Sequence, residues 1–231
     1  MINTDNTQNL EEKAVEKTIK RPDESSGIYV RGHIKISDVT EADNHIVLVD
    51  KSNAIHYENF SVALASSIAD KGQNFIYEMN FGNGGTSVDP TGIITYLPTN
   101  TVGQNANLYN PTYSKIVDDT SAANLDPANN KMTVTHIPGT VYTDILVSCL
   151  LDYGEPNGQA VFDNSQNLNG QYVFDELGLR GRSIDKTSGL TSTGLLLTHV
   201  VFMPVQKSLN RLIQIDYTVR VQTLTNLSTN G

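Results

Sequence analysis

Five histidines, a single cysteine and a scatter of carboxylates are the side chains of this chain with chemistry to offer. His33, His45, His56, His136 and His199 fall in different predicted elements and show neither HxH nor HExxH spacing, the patterns that set two imidazoles on one side of a metal. His199 lies within a predicted strand and reads as a satisfied sheet residue. Asp118, Asp119 and Asp126 lack the alternate-residue ligands and distal glutamate of a calcium loop. Ser61, Ser148 and Ser183 occupy no GxSxG elbow, so a hydrolase triad has no support. Glu78, Asp144, Asp175, Glu176 and Asp216 could converge as paired carboxylates for sugar hydrolysis, but their positions suit solvated strand faces and turns better. Cys149 sits in the mostly apolar run 141–151 and reads as a small buried hydrophobe; with one cysteine, no internal disulfide forms. The expectation is no catalytic residue, no metal ligand and no cofactor.

Two further clusters need a reading. Gly82-Asn83-Gly84-Gly85 could cradle phosphate, but a Walker loop needs a following lysine and a dinucleotide loop needs GxGxxG between strand and helix. Here Thr86 and Ser87 follow, then Val88-Asp89-Pro90, which cannot readily open a helix. A turn in which glycine supplies positive φ is the reading. Arg180-Gly181-Arg182 is a small basic point expected to pair with acidic neighbours, within the chain or across an interface. The net charge of −9 argues against a nucleic-acid surface, which needs clustered Lys and Arg. No segment approaches the roughly 18–20 apolar residues that cross a bilayer, and the N-terminal residues lack the apolar stretch of a signal peptide. Neither a nucleic-acid nor a membrane partner is expected, and synthesis and folding in a cytoplasm are.

The elements that must position these residues follow from hydrophobic period. Phe60, Leu64 and Ile68 at steps of four, widened by Val62, Ala65 and Ala69, predict one amphipathic helix over about 59–71, capped by Asn59 or Ser61 and stopped at Gly72. Phe75, Tyr77, Met79 and Phe81 then alternate with Ile76, Glu78 and Asn80, the period of a strand. Strands are predicted at Ile28–Ile36, at Ile46–Val49 (short, because Asp50–Asn53 are polar), and at Ile93–Leu97. Others fall at Met132–Ile137 and Val141–Leu151 around a Pro138-Gly139 turn, and at Tyr172–Leu179 and Leu195–Met203. The last, Ile213–Gln222, has the clearest dry and wet faces.

Residues 99–130 and 152–170 read as long polar loops, the first hiding at most a short helix at Tyr113–Asp118. Residues 180–193 read as a third. Residues 1–26 are charged, with too little apolar surface to order alone. They predict an extended arm pinned by a neighbouring subunit and a candidate cover for an exposed strand edge. The whole is mainly β: an antiparallel sandwich or barrel with one helix, comprising a 1–26 arm and a single β-rich domain over 27–231.

Two blocks carry a family resemblance. DKSNAIHYENFSVALASSIA with NFIYEMNFGNGGT is one; FDELGLRG at Phe174–Gly181, running through LLLTHVVFMPVQKSLNR to IQIDYTVRVQ, is the other. Together they resemble virion structural proteins of tailed bacteriophages, of the neck, collar or tail type. In FDELGL, Phe174, Leu177 and Leu179 can anchor a turn while Asp175 and Glu176 stay wet. The resemblance transfers no functional residues and implies a non-enzymatic subunit in many symmetric copies, made in the host cytoplasm and built into the virion. Its partners would be itself, in a ring, and other virion proteins. The rivals are a receptor- or glycan-binding module displaying loops 99–130 and 152–170, and a glycan hydrolase.

Overall fold

A computed structural model describes residues 27–71, 74–156, 171–184, 188 and 191–224. The predicted arm, most of the 152–170 loop and the proposed stop at Gly72 lie outside the described residues. The described residues are mainly β, with one helix and a curled antiparallel sheet forming a half-barrel. Its strands are β1 (Gly27–Asp38), β2 (Ile46–Ile55), β3 (Phe75–Gly82), β4 (Thr86–Val88), β5 (Ile94–Tyr96) and β6 (Pro111–Ile116). The second half adds β7 (Lys131–His136), β8 (Tyr142–Leu151), β9 (Gln171–Ile184), β10 (Thr191–Leu196), β11 (Thr198–Ser208) and β12 (Ile213–Leu224). Helix α1 spans Tyr57–Ile68.

Ten strands form one sheet in the order β6-β3-β9-β11-β2-β1-β12-β8-β7, with β10 continuing beside β9 beyond the end of β11. β4 and β5 make a separate small hairpin. β1 and β12, the first and last strands among the described residues, pair along their full length, from Gly27 opposite Leu224 to Asp38 opposite Ile213. The alternation in both sequences explains why: Ile34 and Ile36 face Tyr217 and Ile215 in register, and Val30 and Val219 continue the same buried face. Cys149 and Val147 on β8 extend that row opposite Ile215 and Tyr217. Fully burying each such aliphatic or aromatic side chain stabilises by roughly 1.5–3 kcal/mol.

An aromatic seam holds the other half of the sheet. Phe174 on β9 meets Phe81 edge-on at 5.4 Å and Phe202 at 5.8 Å, and stacks on Tyr172 at 5.4 Å. Tyr113 on β6 closes against Phe81 at 5.7 Å. Such pairs add about 0.5–1.5 kcal/mol each beyond area burial.

Several expectations are corrected. β2 runs on to Ile55 through polar Asp50–Asn53, because it lies inside the sheet between β1 and β11, where backbone pairing outweighs side-chain polarity. Tyr113–Asp118 is no helix; residues 111–116 form strand β6 against β3. β9 continues to Ile184, beyond the loop boundary read at Arg180. In β3 the expected row Phe75, Tyr77, Met79, Phe81 breaks, because the register with β9 steps from Ile76 opposite Gly181 to Glu78 opposite Arg180. The extra residue, Tyr77, flips the parity, so Ile76 is buried with Met79 and Phe81.

Helix α1 starts earlier than predicted, and its cap is His56, whose Nδ1 accepts the Asn59 N–H at 3.1 Å. The buried positions are Asn59 and Ala63, and Ile68 is exposed. The stripe ends a turn early because Asn59 faces inward, its Nδ2 donating to the Leu196 carbonyl at 2.9 Å and so fixing the helix to the end of β10.

Candidate functional site

The densest polar constellation among the described residues is built on Asp175 and Glu176 of β9. Both were expected to stay wet; they are 3% and 0% exposed. The reason lies opposite them. Gly82 faces Glu176 across the sheet, and a Cβ at Gly82 would lie 2.4 Å from Glu176 Oε1, so the missing side chain makes room for the carboxylate. The following turn delivers backbone donors: Gly84 N–H to Glu176 Oε1 at 3.1 Å, Gly85 N–H to Asp175 Oδ1 at 2.9 Å and Thr86 N–H to Asp175 Oδ2 at 2.8 Å. The Thr86 hydroxyl also donates to Asp175. From the 99–110 segment, Asn110 N–H reaches Glu176 Oε1 at 2.8 Å and Tyr109 N–H reaches Oε2 at 2.9 Å.

Neither Gly84 nor Gly85 has positive φ. The glycine cluster is a turn, as read, but its glycines answer to close approach instead of a left-handed backbone: a Cβ at Gly84 would meet Asn110 N at 2.8 Å. Its amides do hold an anion, and that anion belongs to the chain itself.

His199 on β11 completes the node from the other side. Its Nδ1 accepts the Asn100 N–H at 2.7 Å, so the ring proton sits on Nε2 and donates to Glu176 Oε2 at 2.9 Å. Burial pushes Glu176 up, but the His199, Asn110, Tyr109 and Gly84 donors outweigh it and leave its pKa below the ordinary value. Asp175 goes the other way, because burial and the Glu176 charge together exceed its hydrogen bonds to Thr86 and Gly85. The node is thus an ionised carboxylate wrapped in N–H donors, clamping three chain segments with every contacting oxygen occupied.

The remaining candidates are dispersed. His33 pairs with Asp50 on the surface at 2.8 Å, His56 bonds the Gly103 carbonyl at 2.9 Å, and His136 lies near the Tyr142 carbonyl at 3.1 Å. His45 is exposed. No three metal-ligating side chains gather among the described residues. Asp118 and Asp126 organise turns, through Thr120 N–H at 3.0 Å and Asn129 Nδ2 at 3.0 Å, while Asp119 carries no bond to either. Ser61 donates to the Glu58 carbonyl at 2.8 Å and Ser148 to Asp216 at 3.2 Å, and Ser183 is half-buried near the end of β9. Asp144 is held bidentately by Arg220, both contacts at 2.7 Å. Cys149 is fully buried, and burial pushes its thiol up to about 12.

Of the basic pair, Arg180 donates to the Gly194 carbonyl at 3.0 Å and lies beside Glu78, while Arg182 stacks over the Tyr77 ring at 4.6 Å. A polar cleft of about 280 Å³ opens there, lined by Tyr77, Glu78, Gly181, Arg182, Ser192 and Thr193. Sequence reading missed both this cleft and Lys207, which is fully buried on β11 with Nζ donating to the Asp152 and Ser208 carbonyls at 2.9 Å each. An isolated lysine between Gln206 and Ser208 carries no periodic signal. The Asp-Glu pair inside the apolar run Tyr172–Leu179 was the available clue to the node.

The outer surface differs in kind. The core-facing rows of β1 and β7 run out into solvent at Ile28, 55% exposed, and Val134, 69% exposed. The hairpin beyond them leaves Ile137 and Val141 exposed, and β6 and β7 end the sheet as unpaired edges among the described residues. No helix among the described residues is long and apolar enough to cross a membrane. The chain matches no protein-family model, no curated protein and no solved structure.

Proposed function

We propose that this protein is a non-enzymatic structural subunit of a tailed-phage virion, assembling through subunit contacts into a neck, collar or tail ring. The observation that carries the reading is the unclosed half-barrel, whose apolar inner row ends uncovered at Ile28 and Val134 beside a free strand edge. Ile28, Val134, Ile137 and Val141 leave apolar side chains exposed at this end of the sheet, and an open edge is otherwise an aggregation liability. Head-to-tail contacts between such faces close into rings when the rotation permits. The buried Asp175–Glu176 node supports the same reading, since it spends its charge on holding loops in place. The resemblance of both sequence blocks to virion proteins supplies the particle, and with it localisation in the virion after synthesis in the host cytoplasm. Sedimentation velocity and electron microscopy of the purified chain test this. Closed rings of many copies are expected, and a monomer at every concentration from micromolar upward would overturn it.

A second reading, a receptor- or glycan-binding module, is favoured by the cleft at Tyr77, Glu78 and Arg182, where an aromatic ring, a carboxylate and two hydroxyl residues converge. Titration against host-surface glycans separates the two. Saturable binding abolished by Arg182→Ala would replace the structural reading.

A further inference from the structure

The edge of β1 is only half used. Pairing with β2 begins at Gly32 opposite Asn53, so Gly27–Arg31 has a partner on the β12 side and none on the other among the described residues. A groove of about 430 Å³ runs along this free edge, lined by Tyr29, Arg31, Gly32, Asn53, Tyr57 and Thr101. Tyr29 and Tyr57 are 40% and 60% exposed at its walls. A free strand edge between two aromatic walls is what strand addition uses: backbone bonds for affinity and flanking side chains for selection.

We infer that this groove receives residues 1–26 of a second copy as an added strand. The inference rests on the assembly reading above and names its contact. The segment precedes Gly27, the first residue of β1, and 26 residues at about 3.3 Å each give it a maximum reach of roughly 85 Å, enough to meet a neighbour. In extended form Val15 and Ile19 share one face with Lys17 between them, and Glu16 and Thr18 share the other. Val15 and Ile19 suit the inner row at Ile28 and Val30, and Glu16 suits the side that carries Arg31.

The test uses full-length chains. An Arg31→Cys protein and a Thr18→Cys protein of different mass are mixed, oxidised and analysed under non-reducing conditions; Cys149, being fully buried, does not compete. Flanking positions from Glu16 to Lys20 are scanned likewise to allow for register. The expected result is a cross-link between the two chains at least tenfold above that given by a Thr133→Cys acceptor on the free edge at β7, together with loss of rings on deleting residues 1–26. Rings that persist after the deletion, with no cross-link to position 31, would overturn this contact while leaving the assembly reading intact. A cross-link formed only within a single Arg31→Cys/Thr18→Cys chain at high dilution, or preferentially to position 133, would overturn it as well. A parent protein that never assembles would remove both readings together.

Discussion

Glu176 shows how one side chain can be at once the costliest and the most useful in a fold. An ionised carboxylate out of water is unfavourable unless each oxygen is bonded, and here donors arrive from three separate segments. Glu176→Ala should therefore cost about 3–5 kcal/mol, measured by urea unfolding, because four donors would lose their acceptor at once. Since its folded pKa is depressed, the stability it supplies is present above the unfolded value and is lost as pH falls through the folded one. Asp175, shifted upward, has the reverse sign: its protonation as pH falls relieves its own burial penalty and offsets part of that loss. A Glu176→Gln protein should show a flatter stability profile through the acid range than the parent.

Lys207 gives the same sign of pH dependence at the alkaline end of the range. Burial lowers its folded pKa to about 8 from 10.5, so the unfolded chain binds more protons between those values and Lys207's contribution to stability should rise with pH across that interval, opposed above about 9 by Cys149, whose raised pKa has the reverse sign. Thermal melts of Lys207→Met over the same range should lack the rise.

At the scale of elements, legibility depended on how many faces of a strand are covered. β1 and β12 each have one dry and one wet face, so the alternation of Ile34, Ile36, Ile215 and Tyr217 announces them directly. β9 is covered on both faces, by the aromatic seam and by residues 82–110, so its acids look like surface residues when they are buried. β6 was hidden because Pro111–Ile116 mixes polar and apolar residues at a sheet edge. The helix was legible in type, but its cap was not, since a histidine accepting through Nδ1 is an uncommon solution. The glycine turn was legible as a turn, whereas its reason, the close passage of Glu176 and Asn110, is tertiary and leaves no local trace. Gly82→Ala tests that reason: with Glu176 Oε1 and the Asn110 carbonyl at 2.4 and 2.7 Å from the new Cβ, a loss of ~1–3 kcal/mol or more is expected in chemical denaturation.

For the whole molecule, the question is which surfaces are spare. Val134 is mostly exposed and lies past the end of the packed row, so Val134→Glu should change monomer stability by less than about 0.5 kcal/mol. If the uncovered row is an interface, the same change should sharply reduce ring formation, seen by sedimentation. A variant that assembles normally would move the interface elsewhere on the molecule.

The pairing of Gly27–Asp38 with Ile213–Leu224 also sets a timetable for synthesis. A growing polypeptide presents its opening strand early, yet that strand must wait for the final one before it is flanked on its β12 side. Until then it is a sticky intermediate, and the loop to be closed is long, which makes for slow maturation. Ribosome-arrested chains stopped before Ile213 should remain protease-sensitive and incompetent to join neighbours, whereas those that have cleared Leu224 should resist digestion. Premature joining of half-made copies is thereby discouraged by the order in which the ribosome delivers the strands.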